Sequence, residues 1–248
     1  MKIILSPAKT MKEMDDLSYR DLPIYLDKTK ELLSYLLGHS LEEAKALWGC
    51  SEKLARENYE RLLAMDLTAG LTPALFSYDG IAYTHMAPAV FEEDCLSYVQ
   101  EHLRILSGFY GVLRPFDGVR PYRLEMGSKL LRPLSGAKNL YEFWGDQLYK
   151  AVRDEDGIIV NLASAEYAKA VQAYLSPEDT FLTCVFAERK GEKLTQKAVY
   201  AKSARGDMVR FMAERGVKER EELYAFSYDG YHYAQELSDE KTLYFVRG

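Results

Sequence analysis

Strand-length apolar runs alternating with helix-length amphipathic stretches predict a mixed α/β or α+β architecture. The runs are Met1–Leu5, Gly157–Leu162, Thr180–Ala187, Ala198–Lys202 and Lys241–Arg247, each short and rich in β-branched or aromatic residues. Between them lie helical stretches at Leu26–Leu37, Leu41–Trp48, Ser51–Met65, Ala87–Leu106, Leu140–Val152, Ser164–Ala173 and Gly206–Arg215.

In chain order, Met1–Leu5 stops at Ser6-Pro7 and reads as a buried strand. Three charged, leucine-periodic helices follow, and Ser51 is a good cap for the third. Ala87-Pro88 is a favourable helix entry. Leu106–Gly127 carries four glycines, two prolines and three arginines and suits neither a plain helix nor a plain strand. Ser164 is placed to cap a helix after Gly157–Leu162, which puts Glu166, Tyr167 and Lys169 in its first turns. The Ala201-Lys202-Ser203-Ala204-Arg205-Gly206 segment reads as a turn after a strand. Ser176–Asp179 is a turn rather than a linker, so residues 1–248 read as one domain with a helical hairpin at about 41–65. Phe76-Ser77-Tyr78-Asp79-Gly80 recurs as Phe226-Ser227-Tyr228-Asp229-Gly230; a recurrent Asp-Gly turn is favoured over a symmetric pair of site-lining loops.

Composition narrows the function. Hydrophobic content of 48% and charged content of 28% are ordinary for a globular protein. MKIILSPAKT is too short and too soon polar for a signal peptide, and no apolar run reaches membrane length; a cytoplasmic protein with no membrane partner is expected. Cys50, Cys95 and Cys184 are widely spaced and read as reduced thiols. His39, His85, His102 and His232 are scattered, so neither a metal site nor a cofactor is expected. A net charge of −6 argues against a uniformly basic nucleic-acid binder, although cations can still gather in one cleft. There is no P-loop, dinucleotide fingerprint, nucleophile elbow or H-E-x-x-H motif.

Two features carry candidate chemistry. Leu47–Ala55 joins two helices through a very short turn laid out like a helix-hairpin-helix, a motif that binds DNA phosphates. Gly49 permits close approach, Cys50 and Ser51 lead into a helix N-terminus with free N–H groups, and Lys53 adds a cation. Ser51 replaces the usual second glycine, and Glu52 stands where proline is common. An ordinary capped hairpin is the competing reading.

The second feature is convergence. Lys9, Arg114, Arg120, Arg123, Lys202 and Arg205 are expected to line one basic cleft at strand ends, with Asn161, Glu125 and Glu166 as polar partners and Tyr110, Tyr122, Tyr167 and Tyr200 for stacking. If those cations all pair internally, the cleft reading falls. If the cleft is instead a deep pocket with Glu125 or Glu166 beside an arginine, an enzyme acting on a nucleotide or nucleobase becomes the alternative. Glu125 or Glu166 would then be acid or base, and Lys9 or Lys202 an anion clamp or nucleophile.

The segments Ser6–Thr10, Leu106–Gly127, Leu140–Trp144, Asn161–Tyr167 and Ala201–Gly206 together resemble the YaaA family of bacterial peroxide-stress proteins, over nearly the whole chain. The resemblance implies an unusual mixed α/β fold, a central mixed sheet with surrounding helices and a helix-hairpin-helix element. It also implies a cytoplasmic protein that binds DNA, protects it during peroxide stress and helps limit free iron. No helix rich in Asn, Gln and Arg is present to read base edges, so binding without sequence readout is expected. DNA is the expected partner, with a small nucleotide ligand as the alternative.

Overall fold

A computed structural model describes all 248 residues. Its centre is a nine-stranded mixed sheet surrounded by helices. Five parallel strands form the middle, in the order Leu103–Ser107, Lys2–Leu5, Ile158–Leu162, Thr180–Lys190 and Thr242–Arg247. Antiparallel strands complete both edges: Gly111–Leu113 beside Leu103–Ser107, and the hairpin Ser227–Tyr228/Tyr231–Tyr233 beside Thr242–Arg247. Lys193–Thr195 folds back on the end of Thr180–Lys190.

Lys2–Leu5 is buried on both faces, as the continuous apolar run requires of a central parallel strand. From it the chain goes first to Leu103–Ser107 on one side and later to Ile158–Leu162 on the other. The direction of winding therefore reverses at this strand, and in parallel sheets such a reversal opens a crevice at the strands' carboxyl ends. One apolar cluster of 60 buried residues spans both faces of the sheet.

The helices Leu26–Leu37, Leu41–Trp48 and Glu52–Leu63 form where their periodicity places them. Two other segments differ from expectation. Ala87–Leu106 is not one helix: a short 3₁₀ turn at Pro88–Val90 precedes the helix Glu93–His102, which passes directly into the strand Leu103–Ser107. Three apolar residues, Leu103, Ile105 and Leu106, are fully buried there, and sheet pairing to Ile3 and Leu5 overrides helical continuation. Leu140–Val152 is likewise split, by Gly145 and Asp146, into helices Leu140–Trp144 and Gln147–Val152.

The larger correction lies at Ala198–Lys202, which is no strand but the first turns of an 18-residue helix, Ala198–Arg215. Gly206 is an interior residue of that helix, not a turn glycine. It packs against the Ala82 carbonyl of the helix Ile81–Met86, where any side chain would overlap the oxygen. The two Phe-Ser-Tyr-Asp-Gly segments also diverge. The second is a β-hairpin turn with Asp229 and Gly230 both at positive φ, whereas the first leads through Gly80 into the helix Ile81–Met86.

Candidate functional site

A cleft of about 480 Å³ opens at the carboxyl ends of Lys2–Leu5 and Ile158–Leu162, where the winding reverses. Four segments wall it: Leu5–Thr10, Asp79–Tyr83, Tyr122–Glu125 and Leu162–Tyr167; Lys202 and Arg205 reach in from the long helix.

The loop after the first strand is fixed at both ends. Ser6 Oγ accepts from the Ser164 amide at 2.9 Å, and the Ser6 carbonyl accepts from the Tyr83 hydroxyl at 3.0 Å. Beyond it, Thr10–Met11 pairs with Tyr78–Asp79. Ser164 sits at the N-cap of the helix Ala165–Gln172, but its side chain makes no cap bond and lies 3.3 Å from Ser6 Oγ. Beneath the cleft, Tyr122 Oη is 2.6 Å from Ser107 Oγ and 2.9 Å from Tyr78 Oη. Tyr83 and Tyr122 thus use their hydroxyls on the protein and turn rings toward the cavity. Burial pushes the Tyr122 phenol up to about 12 and raises those of Tyr83 and Tyr167, so all three are neutral walls.

The charged groups are unequally satisfied. Glu125 is held by Lys9 Nζ at 2.8 Å and faces Arg123 Nη2 at 3.6 Å. Glu166 Oε1 accepts from the Gly127 amide at 2.8 Å. Arg123 Nε is buried without an acceptor. Arg205 is starker: it has no ion pair or hydrogen bond, and its Nε is buried and orphaned. Burial presses its pKa down from the ordinary guanidinium value. Lys202, one helical turn earlier on the same face, has no acidic partner and is exposed.

Of the six cations expected to converge, Lys9, Arg123, Lys202 and Arg205 line the cleft. Arg114 and Arg120 do not. Arg114 binds the fully buried Asp117 at 2.9 Å and lies 3.3 Å from Asp21. Arg120 pairs with Glu13 at 2.9 Å and donates to the Gly70 carbonyl at 2.7 Å. Both arginines tie their loop to other segments, Arg114 to Asp21 and Arg120 to Glu13 and Gly70.

Lys202 and Arg205 arrive from a helix interior, not from the strand-end turn expected of them. Asn161 is no cleft partner either; its amide accepts from the Ala163 N–H and donates to Thr183. Tyr110 is buried against the Arg120 backbone, and Tyr200 lies under the Arg247 guanidinium at 4.1 Å. Sequence reasoning missed Asp79–Tyr83 as a wall; the repeated Phe-Ser-Tyr-Asp-Gly was the available signal.

Away from the cleft, Leu41–Trp48 and Glu52–Leu63 form the expected hairpin. Gly49 closes the first helix in the left-handed region with open space around it, which a side chain would strain. Ser51 Oγ accepts from the Leu54 amide, and Ala55 is fully buried where the helices meet. Glu52 is engaged by Lys45 at 2.7 Å and Arg56 at 2.8 Å, while Lys53 is 87% exposed. Cys50 is half-buried in the turn. No group of three or more His, Cys, Asp or Glu side chains is clustered to hold a metal, and no helix is long and apolar enough to cross a membrane.

Residues 1–237 match the family model described as peroxide stress protein YaaA. A UPF0246 protein of Agathobacter rectalis is 51% identical over 248 residues, covering all of this chain and 99% of the relative. One from Lachnoclostridium phytofermentans is 50% identical, covering all of this chain and 97% of the relative. A third, from Limosilactobacillus reuteri, is 48% identical over 99% of this chain and 98% of its own length.

Proposed function

The chain belongs to the peroxide stress protein YaaA family, and from that premise we propose that it serves the stress response by taking a single nucleotide unit into the cleft. The phosphate lies on Lys202 and Arg205, and the base lies against the tyrosine-lined wall. Glu166 is the acid–base group, Glu125 being engaged by Lys9 and Arg123.

The observation that carries this reading is Arg205: a half-buried arginine facing a cavity, with no acidic partner and with its Nε buried without an acceptor. An unpaired buried cation is costly, and an anionic ligand relieves that cost. A volume of about 480 Å³ suits one small ligand better than the backbone of a duplex. Equilibrium titration of nucleoside 5′-monophosphates against the matching nucleosides tests it. The phosphate is expected to be required, and Arg205→Met to abolish binding. Equal binding of nucleosides, or undiminished binding by Arg205→Met, overturns the reading.

A specific observation favours a second contact with nucleic acid. The left-handed Gly49, the capped start at Ser51 and the exposed Lys53 form a turn with the features that hold a DNA phosphate. We propose that DNA docks there without sequence readout, and that protection of DNA follows from this docking. Anisotropy of labelled duplex across a salt series is expected to show binding that falls steeply with salt and is weakened by Lys53→Ala. Salt-insensitive binding, or none at low salt, would sink it.

A further inference from the structure

The four cleft cations fall into two pairs with opposite histories. Lys202 and Arg205 share one face of one helix and have no acidic partner. Lys9 and Arg123 come from two separate loops and meet at one carboxylate, Glu125. That carboxylate is 29% exposed and lies within the wall of the cavity. It stands where an incoming oxyanion would stand: 2.8 Å from an ammonium that is itself 65% exposed, and beside a guanidinium whose Nε has no acceptor. Arg123 is therefore only partly satisfied by Glu125, at 3.6 Å, and keeps donors for a better-placed acceptor.

We propose that the cleft is a two-anion site in which Glu125 fills the second anion position until ligand displaces it. The inference rests on the nucleotide reading above and names its ligand class: a nucleotide unit bearing two phosphates, one on Lys202 and Arg205, the other on Lys9 and Arg123. A free nucleoside 3′,5′-bisphosphate carries that chemistry, and so does a nucleotide flanked by phosphates within a strand. With Glu125 in place, four cations face Glu125, Glu166 and Asp79 across the cavity; with it swung out, they face two carboxylates and the ligand.

The test uses adenosine 5′-monophosphate, adenosine 3′,5′-bisphosphate and a short single-stranded oligoadenylate, titrated against wild type, Glu125→Gln, Lys9→Met and Arg205→Met. Glu125→Gln removes the competing charge with little change of shape. It is expected to tighten the bisphosphate by about tenfold and leave the monophosphate unchanged, as fits the strength of a charge-assisted hydrogen bond. Lys9→Met, at a side chain 65% exposed and outside the core, is expected to weaken the bisphosphate alone. A gain with the oligonucleotide but not the free bisphosphate assigns the source to a strand and also supports the proposal. A gain with neither, in a Glu125→Gln protein whose near-UV dichroism matches wild type, overturns it. Failure of the monophosphate to depend on Arg205 would instead remove the nucleotide reading beneath it, so the two failures are separable.

Discussion

Gly206 lies against the carbonyl oxygen of Ala82 so closely that a Cβ at that position would overlap it. Lys202 is one turn back on the same helix face and Arg205 is its neighbour. The close approach of the helices Ile81–Met86 and Ala198–Arg215 thus brings both cations to the cleft that Ile81 and Ala82 help to wall.

Gly206→Ala is the direct probe of that contact. Alanine gains about 1 kcal/mol of helix propensity over glycine. The contact is with backbone, which cannot rotate away as a side chain can, and overpacking of this kind costs about 1–3 kcal/mol. We expect net destabilisation in urea unfolding, with nucleotide affinity lowered as the two helices are forced apart.

Arg205→Met should make the unliganded protein more stable. The Arg205 Nε is buried without an acceptor, and methionine fills similar space without a charge to desolvate. The expected gain is about 1–3 kcal/mol, or a few degrees of Tm for a chain of this size. Thermal unfolding checks it: a lower Tm in Arg205→Met contradicts the account of an unsatisfied cation.

Asp117 sets a pH dependence of unusual sign. Burial pushes its carboxyl up to about 6, against the opposing pull of Arg114. The folded state therefore holds this proton more tightly than the unfolded chain. The stabilisation is fully present below the unfolded pKa of 3.8 and is lost as pH rises to about 6. Relative to Asp117→Asn, which does not titrate, wild type should gain stability as pH falls from about 6 to 4, by at most about 1.4 kcal/mol per unit. Denaturant unfolding of both proteins across that range measures the difference; a gap that is flat or widens with rising pH contradicts it.

Cys184 should be inert toward peroxide. Burial pushes its thiol up to about 12, so at neutral pH the thiolate fraction is on the order of 10⁻⁵. Mass spectrometry after brief peroxide or iodoacetamide exposure is expected to find Cys184 unmodified in the folded protein and modified after unfolding. Rapid modification in the native state would contradict it.

The parts of the fold legible in the sequence were those where one local rule acted unopposed. Met1–Leu5, the three N-terminal helices and the strands near Ile158, Thr180 and Thr242 follow from apolar period and caps. Ala198–Lys202 misled because Val199 and Tyr200 favour strands, yet in the helix they are surface residues, 56% and 37% exposed, with Tyr200 beneath Arg247. Gly206 read as punctuation because a glycine's use for close helix approach depends on a partner about 120 residues away, which local pattern does not carry. The same applies to the site. Lys9, Arg123, Lys202 and Arg205 were recognisable as cations at element ends or beside glycine and proline. Which arginines stay free depended on their acids: Asp117, three residues on, takes Arg114, whereas Arg120 is taken by Glu13, far along the chain and beyond local pattern.

The strand Lys2–Leu5 is made before every other strand of the sheet, yet it ends between two parallel neighbours. Its second edge stays open until Ile158–Leu162 has been made, roughly ten to thirty seconds later at bacterial elongation rates. Through that interval an apolar segment with unpaired amides and carbonyls is exposed to other nascent chains, the circumstance in which holding chaperones matter most. Ser6 and Lys9 travel with that strand, so the crevice cannot be assembled until translation has passed the long helix. A truncated product that ends before Ala198 would lack half of the cleft's cations and leave Thr180–Lys190 without its parallel partner Thr242–Arg247.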